Sequence, residues 1–247
     1  MRYFLDIAYK GTAYHGWQSQ DNALSVQMFI EKALSTILRS EISIVGSGRT
    51  DTGVHAEQQI AHFDSPIPLD ERTYLLKINS LLPYDIAIKK LYEVSDEAHA
   101  RFDATERSYE YRICTQKNPF LKDLAYFFRP VLDIAQMNEA ASKLLQYNDF
   151  QSFSKTGSSQ KHYLCQLKRA EWVETPVGYT FHITANRFLY GMVRALVGTL
   201  LEVGVGKMSV DEFENIIQSK NRQHAKRSAP PEGLFLTKVV YNFDKSA

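Results

Sequence analysis

The chain has 247 residues, 44% of them hydrophobic, with 29 Lys and Arg against 28 Asp and Glu. That is ample for a core in one large or two compact domains, and a net charge of +1 excludes a dedicated polycation binder. The charge is uneven: residues 1–105 carry 10 basic against 14 acidic side chains and residues 106–247 carry 19 against 14, so an anionic partner should lean on the second half.

Tyr3, Leu5, Ile7 and Tyr9 alternate and predict a first strand. Ser25 stands as an N-cap before Val26, Phe29, Ile30, Ala33, Leu34, Ile37 and Leu38, which keep helical spacing. Residues 42–46 and 58–63 predict two short strands flanking a glycine loop. Residues 70–82 predict a helix stopped by Pro83, and residues 85–94 another strand. The second half repeats the order. A strand around Tyr109, Tyr111 and Ile113 precedes a helix opened by Asp133 and Gln136 and running to Tyr147. Strands at 166–173 and 178–185 follow, then helices at 187–203 and at 209–219, the latter capped by Ser209 with Glu212. A strand over 234–241 closes the chain.

Two β-α-β-β-α-β runs predict an α+β fold of two ferredoxin-like halves. Their sheet should be mostly antiparallel, with helices on one face and a cleft between the halves. The boundary is expected near residue 104. Residues 1–104 would then hold the glycine loop, and residues 105–247 two basic loops, 151–162 and 220–231. Lys155, Lys161, Lys220, Arg222, Lys226 and Arg227 are the candidate phosphate contacts there.

Cys114 and Cys165 are the only cysteines and form no C-x-x-C, which suits a reducing compartment with both thiols in a core. Asp6 interrupts the first apolar stretch, so it does not read as a signal peptide. The longest apolar run is broken by Arg194 and is too short for a bilayer. A cytoplasmic protein away from any membrane is expected.

Several motif matches fail. "GVGKMS" lacks the first glycine and the Ser/Thr of a phosphate loop, and "HAEQQIAH" is not H-E-x-x-H. His55-Ala56-Glu57 has no P-C-x-x-C to complete a zinc site, so no metal is expected. "DTG" at 51–53 would need a second such aspartate for protease chemistry.

The loop "GSGRTDTGVHA", residues 46–56, is richer than a hairpin requires. As a plain turn it would use Gly46, Gly48 and Gly53 for positive φ, with Asp51 as a turn residue and Arg49 solvated. In an extended segment, however, residues 49 and 51 point the same way, so Arg49 can orient the Asp51 carboxylate. A carboxylate beside a permanent cation stays charged at neutral pH and is available as nucleophile or base.

"GRTDTGVHA" closely resembles the "GRTDAGVHA" signature of the TruA-type tRNA pseudouridine synthases. The likeness continues through "YKGTAYHGWQSQ", "HARFDATERSYEYRI", "NRFLYGMVRALVGTLLEVGVGK" and "APPEGLFLTKVVY", blocks that together span nearly the whole chain. Thr52, Arg187 and Ala195 depart from the usual pattern.

The resemblance implies isomerisation of uridine to pseudouridine at positions 38, 39 and 40 of the tRNA anticodon stem-loop, without a cofactor, by a homodimer. It makes Asp51 the catalytic carboxylate, which attacks C1′ or removes the 2′ proton. Tyr109 would hold the target base, Arg194 would answer Asp51, Arg49 would brace the opened RNA, and Leu234 would wall the pocket. By spacing alone, Tyr109 and Leu234 read as core residues and Arg194 as a snorkelling side chain. Two rival classes remain: an RNA-binding module without turnover, which leaves Arg49 and Asp51 without a role, and a structural or interaction protein, which predicts no RNA affinity.

Overall fold

The structure is a computed structural model that describes residues 1–155, 157 and 162–243. It is a mixed α/β protein dividing into two compact units, Met1–Thr105 with Phe235–Ala247, and Glu106–Leu234.

The first unit opens with β1 (Arg2–Tyr9), as the alternation predicts. In α1 (Val26–Leu38), Ser25 Oγ accepts the Met28 amide, and Val26, Ile30, Ala33 and Leu34 are buried. The strand expected over 42–46 shrinks to β2 (Val45–Gly46). The reason is local: Ser35 and Glu31 of α1 take the Ile42 and Ile44 amide hydrogens at 2.9 and 3.0 Å, so no ladder forms there. β3 (His55–Asp64) is longer than expected; α2 (Glu71–Leu81) and β4 (Ile86–Val94) follow. β1 pairs antiparallel with both β3 and β4, and β2 pairs antiparallel with β3.

The second unit is built on β5 (Ala104–Cys114), with the two-residue β6 (Tyr126–Phe127) beside its end. α3 (Ile134–Lys143) starts at Asp133, whose carboxylate accepts the Gln136 amide. It gives way to a 3₁₀ turn at 144–146 rather than running on to Tyr147. β7 (Leu167–Thr175) and β8 (Gly178–Ala185) form an antiparallel hairpin, and β8 also pairs with β5. α4 (Met192–Gly204) begins five residues later than expected, because Gly191 at its N-cap is left-handed. α5 (Val210–Ser219) carries the capping box of Ser209 and Glu212.

The last strand, β9 (Leu234–Tyr241), differs most from the sequence expectation. Read as the close of the second half, it groups with the first unit from Phe235 onward and pairs parallel with β3. The Val239 amide donates to Gln58 Oε1 at 3.0 Å, and the Tyr241 hydroxyl donates to the Ala100 carbonyl. Pairing within the units is thus mostly antiparallel, with five α-helices among the described residues. No described helix is long and apolar enough to cross a membrane.

Candidate active site

The loop after β2 is anchored at nearly every residue. The Ser47 amide donates to the Ile60 carbonyl at 2.7 Å, and its hydroxyl donates to Gln59 Oε1 at 2.6 Å. Gln59 Nε2 in turn donates to the Gly48 carbonyl. Thr50 is held twice, its hydroxyl 2.8 Å from Tyr9 Oη and its carbonyl accepting the Trp17 amide. The Val54 amide closes a turn onto the Asp51 carbonyl at 3.1 Å, with Gly53 at φ +78° in the third position.

A second segment, 11–17, forms the loop's backing. The Gly53 amide donates to the Tyr14 carbonyl, and His55 Nδ1 accepts the Gly11 amide at 2.9 Å. Gly16, at φ +92°, lies so close that a Cβ there would overlap the Thr50 carbonyl oxygen. Tyr14 is pinned from behind, its hydroxyl donating to Asp85; burial first, and then that carboxylate, push its phenol pKa up. The ring of buried His55 stacks on Phe235 at 4.5 Å, so the residue that resembled half a zinc motif is structural.

This cradle leaves Asp51 half-buried and Arg49 exposed. Arg49 makes no hydrogen bond or ion pair among the described residues, so the expected orientation of Asp51 by Arg49 does not form. Nor do the three loop glycines act alike. Only Gly53 takes positive φ; a Cβ on Gly46 would strike the Trp17 indole at 2.5 Å, and Gly48 faces open space.

The other sequence candidates lie in the second unit. Tyr109, half-buried on β5, meets Phe188 edge-on at 5.1 Å. Arg194 is half-buried on α4, and its Nε donates to the Ala229 carbonyl at 2.7 Å. That bond is part of a strap, residues 225–230, laid across the helix. The Ala229 amide donates to the Arg194 carbonyl, and the Lys226 amide to Thr199 Oγ1. Gly198 admits the strap, since a Cβ there would overlap the Arg227 carbonyl oxygen. The Tyr111 hydroxyl donates to the Pro230 carbonyl, and burial pushes its phenol pKa up. Leu234 is buried where the strap enters β9.

The basic loops are less free than their charge suggests. Arg222 donates to the Ala225 and Lys226 carbonyls, and Lys220 pairs with Asp149 at 3.0 Å. Lys155 lies 4.6 Å above the Tyr190 ring, Lys226 and Arg227 are exposed, and Lys161 lies outside the described residues. Of the departures, Thr52 is exposed at the turn tip and Ala195 is buried in α4. Arg187 lies 2.9 Å from His162 Nδ1. Among the described residues no three His, Cys, Asp or Glu side chains are grouped to hold a metal ion.

Sequence reasoning placed Tyr9 and Gln59 only in strands and assigned none of Tyr9, Tyr14, Trp17 and Gln59 to the site. The first three fall in a quoted block, "YKGTAYHGW", whose glycine spacing was the available signal.

Comparison with known proteins places this arrangement. The model of a family described as tRNA pseudouridine synthase matches residues 7–103 and 140–242; Tyr109 falls between the two matched segments. A tRNA pseudouridine synthase A of Bacteroides fragilis is 50% identical over 242 residues, 97% of this chain and 96% of its own. Its namesake from Porphyromonas gingivalis is 47% identical over 98% of both chains. That of Bacillus subtilis is 39% identical over 98% of this chain and all of its own. With matches of this extent, the chain belongs to the tRNA pseudouridine synthase family.

Proposed function

We propose that the protein is an isomerase that converts uridine to pseudouridine in tRNA, at positions 38, 39 and 40 of the anticodon stem-loop, with Asp51 as its catalytic carboxylate. The observation that carries the assignment is the cradle: backbone and buried side chains fix the 47–54 loop on both flanks, yet the Asp51 carboxylate is left half-open. A turn that served only to connect two strands would need no such support.

The reaction breaks the C1′–N1 bond, turns the uracil and forms a C1′–C5 bond. Atoms and electrons balance within the nucleotide, so no cofactor is required. One carboxylate suffices, because uracil leaves as a delocalised anion and needs no general acid of the kind a sugar alkoxide requires. Attack on C1′ and removal of the 2′ proton both demand an ionised Asp51, and neither step is open to the amide of Asp51→Asn.

Tyr109, whose ring edge already packs on Phe188, holds the uracil. Arg194 serves as the cation that answers Asp51, and Leu234 as an apolar wall. A stacked uridine must first be extruded from its stem, and Arg49 is suited to brace the opened RNA because it is exposed and no group among the described residues engages it.

The strand order β4-β1-β3-β2 in the first unit supports a ferredoxin-like half there. Division near residue 104, a cytoplasmic setting and a homodimer complete the reading. An active monomer in light scattering at micromolar concentration refutes the last of these. The decisive experiment incubates an unmodified tRNA transcript with the protein and maps pseudouridine by position. Product at 38–40 supports the reading, and its absence overturns it.

A further inference from the structure

Between β5 and α3 the chain makes an excursion, residues 115–131, that the proposed chemistry does not use. It is well ordered. Asn118 Oδ1 accepts the Phe120 amide and opens a 3₁₀ turn at Pro119–Leu121. The Ala125 amide returns to the Leu121 carbonyl, and β6 then docks in parallel beside Ile113 and Cys114 of β5.

The outward side of this arm is unusual. Phe120 is 88% exposed and Phe127 is 37% exposed, and the Arg129 guanidinium lies over the Phe127 ring at 5.4 Å. Lys117 and Lys122 are exposed as well. The segment holds three cations and one acid, Asp123, for a charge of +2. A single exposed ring is ordinary on a protein surface; what sets this arm apart is that its exposed rings are interleaved with three cations on one short excursion.

We propose that the 115–131 arm is an RNA-docking element, with Phe120 and the Arg129–Phe127 stack as platforms for bases and Lys117, Lys122 and Arg129 as phosphate contacts. Rings interleaved with cations are the chemistry of nucleic-acid binding without sequence readout. Protein-docking faces share the enrichment in aromatics and arginine but are depleted in lysine, so Lys117 and Lys122 are what favour RNA here. The proposal rests on the assignment of tRNA as substrate and deepens it. Ile113, which pairs with Tyr126, is four residues along β5 from Tyr109, or about 13 Å at roughly 3.3 Å per residue. The arm therefore grips RNA that flanks the target nucleotide.

Phe120→Trp tests this directly. The two native tryptophans, Trp17 and Trp172, are only 2% and 3% exposed, so the added indole is the one exposed emitter in the full-length protein. Unmodified tRNA transcript should quench it saturably, at the midpoint that anisotropy gives with labelled tRNA. In parallel, Lys117→Gln, Lys122→Gln and Arg129→Gln together should lower the slope of log K against log salt by about 2–3. Bound tRNA with a silent indole, or an unchanged slope, overturns this proposal and leaves the functional reading standing. A protein that binds no tRNA overturns both. Quenching that rises with protein concentration in the absence of RNA would mean that a second copy covers the arm, which also overturns it.

Discussion

The 46–56 loop of the first unit and the strap of the second are built by the same device and put to different ends. In each, a glycine lets one backbone lie directly on another: Gly16 under Thr50, and Gly198 under Arg227. In the loop, Ser47 and Thr50 do the anchoring, with Gln59 of β3 beneath them, and the exposed Arg49 takes no part among the described residues. In the strap region the charged residues are themselves the anchors. Arg194 holds Ala229, and Arg222 holds Ala225 and Lys226. The lesson is that a cation counted in a basic loop is evidence for an anionic ligand only once its structural duties are subtracted.

The largest expected effect breaks the loop's chemistry without touching its cradle. Asp51→Asn should abolish pseudouridine formation while thermal unfolding and tRNA affinity stay near wild type; measurable turnover by this variant would return Asp51 to the status of a turn residue. Next comes the cradle itself. Gly16→Ala places a Cβ against the Thr50 carbonyl at a positive φ, so we expect on the order of 2–3 kcal/mol of destabilisation and a severe loss of turnover. Gly198→Ala should cost similar stability by lifting the strap. If Gly16→Ala leaves the rate intact, the loop does not need its backing.

Arg49→Ala should slow modification of a paired stem uridine by roughly tenfold, about 1.4 kcal/mol in the barrier, and an unpaired uridine much less. Equal losses on both substrates would remove Arg49 from base extrusion. The strap yields a smaller and distinguishable signal. Neutralising exposed Lys226 and Arg227 should lower the salt slope of tRNA binding by about 1.5. Arg222→Gln should leave that slope alone and lower the melting temperature instead, because its hydrogen bonds are internal.

Acid gives the mildest test of the loop's support. His62 is buried on β3, the strand behind the loop, where its Nδ1 accepts the Ala100 amide. Burial first, and then Arg2 and His99, hold its pKa down at about 4 against the usual 6.5. Between those values the unfolded chain binds a proton that the folded chain refuses, so stability should fall as pH drops from about 6.5 towards 4. The loss by pH 5 should be on the order of 1–2 kcal/mol, read from urea midpoints, and His62→Gln should flatten the dependence.

The sequence by itself determined what is local. Alternation defined β1, and caps defined α1 and α5, because strand period and N-cap chemistry act over two to four residues. The loop motif likewise singled out Asp51 as a candidate. Tertiary structure alone decided the rest. β9 groups with the first unit through bonds such as Val239 to Gln58, 181 residues apart in sequence, which no periodicity encodes. Side chains of α1 took the amide hydrogens that would have extended β2. Arg222 was spent on its own loop. In each case the outcome depended on which distant or competing polar group reached a donor first, and a one-dimensional pattern records the donor but not its partner.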